Sequence, residues 1–221
     1  MDNNIKKIVD NIYINTHSSI KISVNKNIYI DPFEITDESH DADIIFITHS
    51  HHDHLSIDDI NKIINKNTKF VVPKSIESSF NEKINMLNEK HEVLFVDLNG
   101  YYDIDDVDFY VVPAYNTNKD FHKREFKYVG YLFDINKVKI YVAGDTDMNE
   151  DNKNVKCDIA LIPIGGTYTM NPTEAADFAN ALKPKVVIPE HYGTIVGSED
   201  DFDTFSNKVD KEIEIVKKLF I

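Results

Sequence analysis

The sequence predicts a mixed α/β (α+β) fold in which sheets are covered by helices. Three observations carry this: short runs rich in β-branched residues fill the first two thirds, capped helix starts stand at Ser56 and Asn171, and strands alternate with helices in the last third. In chain order, apolar runs at 12–14, 20–24, 28–30 and 44–48 have strand length and turn residues between them, and read as an antiparallel start to a sheet. Ser56 with Asp59 three residues on has the form of a capping box, and Ile57, Ile60, Ile63 and Ile64 follow at helical spacing. Residues 70–73 and 93–96 read as strands around a weakly helical stretch, 75–88. A second group of strands is expected at 107–112, 128–135 and 138–142, with a long loop, 114–127, of the kind that often carries function in a compact domain. A strand at 159–164, a helix from Asn171, a strand at 186–188, a helix near 198–209 and a strand at 213–216 complete the order. Asn171 as N-cap, Pro172 at the first position and Glu174 at the third make the Asn171 helix the best signalled of these.

Composition bounds what such a chain can do. With 42% hydrophobic residues over 221 positions there is enough apolar surface for one well-cored domain, 1–221. Against 24 Lys and Arg stand 38 Asp and Glu, a net charge of −14, which repels a phosphate backbone and argues against nucleic acid as a partner. A small-molecule substrate fits better, and an anionic one stays open because bound cations dominate the local field in a cleft. The first fifteen residues lack the apolar core of a signal peptide, and no segment approaches the roughly 20 apolar residues of a membrane span. A single cysteine, Cys157, allows neither an intrachain disulfide nor a cysteine-based zinc finger. The expectation is a cytoplasmic protein with no membrane partner, and a homo-oligomer is compatible with the sequence.

The chemistry concentrates in the run His49-Ser50-His51-His52-Asp53-His54, between an apolar strand and a capped helix. Imidazoles two apart on extended backbone, His49 and His51, point to one side and can grip one cation, while Asp53 and His54 turn toward a second. Two close metals need a bridging ligand, and Asp145 is a candidate. It follows the strand at 138–142, and Gly144 before it allows a sharp turn. His191 follows the strand at 186–188 in the same manner. Taken alone, Asp145 could be a turn carboxylate bonded to nearby backbone, and His191 is open in the same way. Beside the cluster, both become candidate ligands. Imidazole with carboxylate suits zinc first, with manganese and iron as alternatives.

These residues resemble the metallo-β-lactamase superfamily, whose HxHxDH signature stands here as His49-Ser50-His51-His52-Asp53-His54. Ile30-Asp31-Pro32-Phe33, Gly144-Asp145-Thr146 and His191 follow the family's order. The runs at 165–170 and 183–189 look like the branch containing L-ascorbate-6-phosphate lactonase and N-acyl phosphatidylethanolamine phospholipase D. The resemblance implies a four-layer αββα sandwich of two mixed sheets covered by helices, with two divalent metal ions at one edge. By carry-over, His49 and His51 bind the first metal, Asp53, His54 and His191 the second, and Asp145 bridges. Asp31 would be a structural landmark and His52 a bystander.

One position departs from the family. A third histidine for the first metal is expected just after a strand, where this chain has Asn116, a poor zinc ligand. His122, six residues on, either completes the site, contacts substrate or is an exposed loop histidine. His17 resembles an early family histidine near the substrate, or is a strand histidine satisfied by a backbone carbonyl. The implied activity is a metal-dependent hydrolase in which a metal-activated hydroxide attacks an ester, lactone, amide or phosphodiester, with Asp53 orienting it and taking its proton. Two alternatives remain: an iron-dependent oxidoreductase of the same fold, against which His51 argues where flavin-linked di-iron members have Glu, and a non-catalytic metal-binding module.

Overall fold

The computed structural model describes residues 2–87 and 89–219; Asn88, the end of the predicted weak helix, lies outside them. The chain opens on a helix that the sequence reading did not assign, α1 (Asn3–Asp10). Asp2 caps it by accepting the Asn4 N–H at 2.7 Å, and Ile5, Ile8 and Val9 are buried on one face. Their i, i+3, i+4 spacing was the available signal.

Strands β1 (Ile12–Ile14), β2 (Ile20–Ser23), β3 (Asn27–Ile30), β4 (Ile44–Phe46), β5 (Lys69–Pro73) and β6 (Glu92–Val96) form a first sheet in that order. Only its start is antiparallel. Ile28 pairs with Ile44 in parallel, correcting the expectation for the 44–48 run, and β5 and β6 continue in parallel. The intervening loop, 31–43, carries the chain back across the sheet, which a tight turn cannot do.

The second sheet contains β7 (Tyr101–Ile104), β8 (Val107–Ala114), β9 (Tyr128–Ile135), β10 (Val138–Val142), β11 (Ile159–Pro163), β12 (Val186–Glu190) and β13 (Glu214–Ile215), hydrogen-bonded in reverse sequence order. It is antiparallel from β7 to β10 and parallel from β10 to β13. Strand β7 was also unassigned from sequence. Its hairpin to β8 turns on Asp105 and Asp106, both with positive φ (51° and 65°), the geometry of a primed turn without the usual Asn-Gly spelling.

Alternation sorts the side chains into layers. In β4, Ile44 and Phe46 enter the core between the sheets, whereas Ile45 faces the opposite way. There α2 (Ile57–Ile63) and α3 (Glu77–Ile84) cover the first sheet with Ile60, Ile63 and Phe80. Between the sheets, Phe46 lies 5.0 Å from Phe109, 5.0 Å from Tyr131 and 4.8 Å from Phe133, edge to face in each case. Helix α4 (Pro172–Leu182) buries Ala175, Ala176, Phe178 and Ala179, and α5 (Asp200–Ser206) packs on α4. The result is the expected αββα sandwich of two mixed sheets. Among the described residues no helix is long and apolar enough to cross a membrane.

The two helix starts behave differently. At Asn171 the capping box closes: its side chain accepts from Thr173 and Glu174, while Glu174 accepts the Asn171 N–H. At Ser56 only half of it forms. Asp59 accepts from the Ser56 hydroxyl at 2.7 Å, then turns outward to take the N–H groups of Glu34 and Ile35 at 3.0 and 2.9 Å. Asp59 therefore staples the 31–43 loop to the helix behind the histidine cluster. Burial raises its pKa, but Ser56, Lys62 and the Glu34 N–H outweigh that and hold it below the ordinary 3.8. Its stabilisation is thus present above about pH 4 and lost as pH falls through the depressed value. Asp59→Asn should cost about 2 kcal/mol at neutral pH in urea unfolding, and the gap to wild type should close in acid; a gap independent of pH would refute the charged role.

Candidate metal centre

Four strands deliver the site from their carboxyl ends: β4 precedes His49–His54, β8 precedes Asn116 and His122, β10 precedes Asp145 and β12 precedes His191. The β10 turn needs Gly144, at φ 65°, because a Cβ there would lie 2.7 Å from the Val129 carbonyl. Several site residues have no such licence. His17, Asp31, His122 and His191 all sit in the left-handed region, at φ 51°, 47°, 51° and 58°. Each conformation costs roughly 1–3 kcal/mol and persists because the surroundings over-determine it.

The side chains converge in two groups around Asp145, whose carboxylate is 3% exposed. In the first, His49 Nε2 lies 3.0 Å from His51 Nδ1, His122 Nε2 lies 3.2 Å from the same atom, and Asp145 Oδ2 is 3.2 Å from His122 Nε2 and 3.9 Å from His49 Nε2. In the second, Asp145 meets His191 Nε2 at 3.2 Å and His54 Nε2 at 3.5 Å, while Asp53 lies 3.5 Å from His54 Nε2 and 3.2 Å from His17 Nε2.

Hydrogen bonds behind these groups fix which nitrogen faces inward. Asp31 accepts from the Thr48 N–H at 2.8 Å, the Thr48 hydroxyl and His54 Nδ1 at 2.7 Å. The Thr48 hydroxyl, its proton committed to Asp31, accepts from His49 Nδ1 at 2.9 Å. One buried carboxylate thereby turns the Nε2 lone pairs of His49 and His54 toward the centre. His122 is set in the same way, Nδ1 donating to the Tyr168 carbonyl at 3.1 Å.

The Asn116 amide nitrogen braces the loop, while its Oδ1 is buried without a hydrogen-bond partner. Its amide donates to the carbonyls of Tyr168 and Phe121 at 2.7 and 3.0 Å, and its N–H to that of His122 at 2.9 Å. It stands on the Nδ1 side of His122 and braces the loop that delivers the imidazole. His17 is buried, faces Asp53 and stacks 3.6 Å from His191; its own carbonyl accepts the His191 N–H at 3.0 Å. His52 is exposed and meets the Phe33 edge at 5.8 Å. Tyr192 is buried against Phe202. Tyr128 went unnoticed in the sequence, although it opens β9 directly after the long loop; its ring lies 4.9 Å from His49 and 5.8 Å from His51.

Electrostatics favour a cation here. Burial would raise the pKa of Asp145, yet the imidazoles of His191, His54 and His122 hold it well below the carboxylate range. Burial likewise opposes charge on His54 and His191, but Asp145, aided by Asp31 and Glu190 respectively, raises both. The pocket thus rewards positive charge between these groups. Burial keeps His49, His51 and His122 neutral, with lone pairs free at ordinary pH. His54 Nε2, His191 Nε2 and Asp145 Oδ1 are buried without any hydrogen-bond partner, a costly state for polar atoms unless something binds them. These residues fit divalent metal.

Comparison with known proteins agrees with the geometry. The Beta-lactamase superfamily domain profile matches residues 11–191. The chain belongs to this superfamily. UPF0173 metal-dependent hydrolases of Thermococcus onnurineus and Thermococcus kodakarensis are 32% and 33% identical, each over 213 residues, 90% of this chain and 92% of theirs. A crystal structure described as a presumed metal-dependent hydrolase from Parabacteroides distasonis superposes with a TM-score of 0.78 at 29% identity, covering 95% of this chain and 93% of that one. Within this superfamily the chain groups with the UPF0173 metal-dependent hydrolases.

His122→Ala should lower metal affinity more than Asn116→Ala, whose loss should fall in the roughly 10–100-fold range typical of groups that orient a ligand. Elemental analysis after dialysis against graded chelator reads both; metal retention by His122→Ala equal to wild type would remove His122 from the centre.

Proposed function

We propose that this chain hydrolyses an ester, lactone, amide or phosphodiester bond in a small molecule, using two divalent cations. His49, His51 and His122 would hold one, and Asp53, His54 and His191 the other, with Asp145 between them. The observation that carries this is the convergence of five imidazoles and Asp53 on the buried Asp145 carboxylate, with His54, His191 and Asp145 presenting unpartnered atoms. His122 takes the place that the family pattern gives to a histidine at Asn116. The donor set suits zinc, and iron and manganese share its preferences.

When bound, such cations acidify water toward neutrality and polarise an acyl or phosphoryl oxygen. The chain's own residues supply the rest. Asp53 stays ionised because His17 and His54 outweigh its burial, so its carboxylate would accept a hydrogen bond from the attacking water and orient it. Its side chain is 15% exposed, against 3% for Asp145, which places it on the open side of the centre. His17, held neutral by burial with its pKa lowered to about 4, sets its Nε2 3.2 Å from the Asp53 carboxylate.

His51→Ala and Asp145→Asn should each lower turnover by at least about 10³-fold on whichever substrate a hydrolase panel identifies, with far-ultraviolet circular dichroism unchanged. Chelation should abolish turnover and added zinc or manganese restore it. Undiminished turnover by either variant would overturn the assignment.

A further inference from the structure

Resting on the two-cation reading, we propose that Tyr128 is a positioning residue for the first cation, its ring holding the His51 imidazole in the orientation that presents Nδ1 to the centre. Three of the other candidate ligands have a hydrogen bond behind the ring. His49 Nδ1 donates to the Thr48 hydroxyl at 2.9 Å, His54 Nδ1 to Asp31 at 2.7 Å and His122 Nδ1 to the Tyr168 carbonyl at 3.1 Å. His51 is turned the other way, with Nδ1 inward, 3.0 Å from His49 Nε2 and 3.2 Å from His122 Nε2. Among the described residues its Nε2 has no hydrogen-bond partner. The His51 backbone is pinned, its carbonyl accepting from the His54 and Leu55 N–H groups at 3.1 and 2.8 Å, but no polar group behind the ring fixes it.

Ring packing takes over that task. His51 meets His49 at 4.6 Å and His122 at 4.9 Å, both candidate ligands themselves, and Tyr128 edge-on at 5.8 Å and 79°. Among the described residues, Tyr128 is thus the one ring against His51 that is not itself a candidate ligand. It also lies tilted over His49 at 4.9 Å and stands 6.1 Å from His122. Apart from Phe126, these three imidazoles are its ring partners, and all three belong to the first group. The effect of Tyr128 therefore falls on one cation and not on the other.

Tyr128 is placed firmly enough to act as a wall. Its backbone pairs with Ala114, at the foot of the loop that carries His122. Lys127 before it, left-handed at φ 54°, turns the chain into β9, and the Lys127 carbonyl accepts from the Ser75 hydroxyl at 3.0 Å. The side chain packs against the buried cluster of the α2–α3 layer and against Phe126 at 5.6 Å. His49 and His122 are 0% and 1% exposed, whereas His51 is not fully buried, so of the three it has most room to turn away. An aromatic neighbour restricts that motion, and a ligand already held in its bound orientation loses less freedom on binding.

The test is titration of metal-free protein with zinc against a chromophoric chelator, alongside cobalt(II), whose visible absorption reports the geometry around each ion. Tyr128→Ala should weaken one equivalent about tenfold or more, the range typical of groups that orient a ligand, and leave the other within about twofold of wild type. The weakened equivalent should be the one lost in His51→Ala, and Tyr128→Phe, which keeps the ring, should bind both as wild type does. If the alanine variant loses its far-ultraviolet circular dichroism, Tyr128→Leu, which keeps apolar bulk without a ring, is read in its place. Unchanged affinity for both equivalents, equal weakening of both, or a phenylalanine variant as weak as the alanine one would overturn the proposal. Uptake of a single equivalent by wild type defeats the two-cation reading; the role of Tyr128 then stands if Tyr128→Ala and His51→Ala both weaken that equivalent, and falls otherwise. Wild type that binds no metal overturns both.

Discussion

A carboxylate buried to 3% exposure has to be compensated, and the rest of this molecule is arranged to compensate Asp145. Burying an unpaired carboxylate costs several kcal/mol, more than a large share of the stability of a typical domain. Four imidazoles within 3.9 Å meet that demand: His49 and His54 stand 96 and 91 residues before Asp145 in sequence, His122 23 before it and His191 46 after it. No local element can supply such a shell. Two sheets whose strand ends open on one edge can, because each strand fixes where its loop begins.

The compensation is also strained, which bears on how site and fold depend on one another. His17, His122 and His191 adopt left-handed backbone, and a Cβ on Gly165 would run into the His191 carbonyl. Those conformations are held by specific bonds: His191 N–H to the His17 carbonyl, Asn116 N–H to the His122 carbonyl, His122 Nδ1 to the Tyr168 carbonyl. The His191 and His122 Nδ1 bonds each tie a candidate ligand to another site loop, and the Asn116 bond closes the 114–127 loop on itself. The loops are therefore one cooperative unit, and loss of a brace such as Asn116 acts through ligand position and not through charge.

How much of this could be read from sequence follows from whether the signal was local. The His49–His54 run sits between a strand and a capped helix, all within twenty residues, and both its placement and its two-sided arrangement were legible. Asp145 and His191 could be picked out because each follows a strand. His122 could not be decided, since reaching the centre takes a left-handed residue and a carbonyl from Tyr168, 46 residues on. Helix α1 was hidden among charges, although Ile5, Ile8 and Val9 carry its spacing, and β7 was hidden because Asp105-Asp106 makes a primed turn without a glycine. The parallel entry of β4 depends on where the 31–43 loop runs, and Asp59, which pins that loop, looked from sequence like an ordinary capping residue.

The acidic surface and the buried centre act in the same direction. A chain at −14 raises the local concentration of divalent cations, which favours filling the proposed centre. Inside it, the buried Asp145 carboxylate and the lone pairs of His49, His51 and His122 meet in a space where charge is weakly screened, so a cation there is held by the same groups whose burial the fold must compensate. The surface then draws the ion in, and the buried carboxylate keeps it.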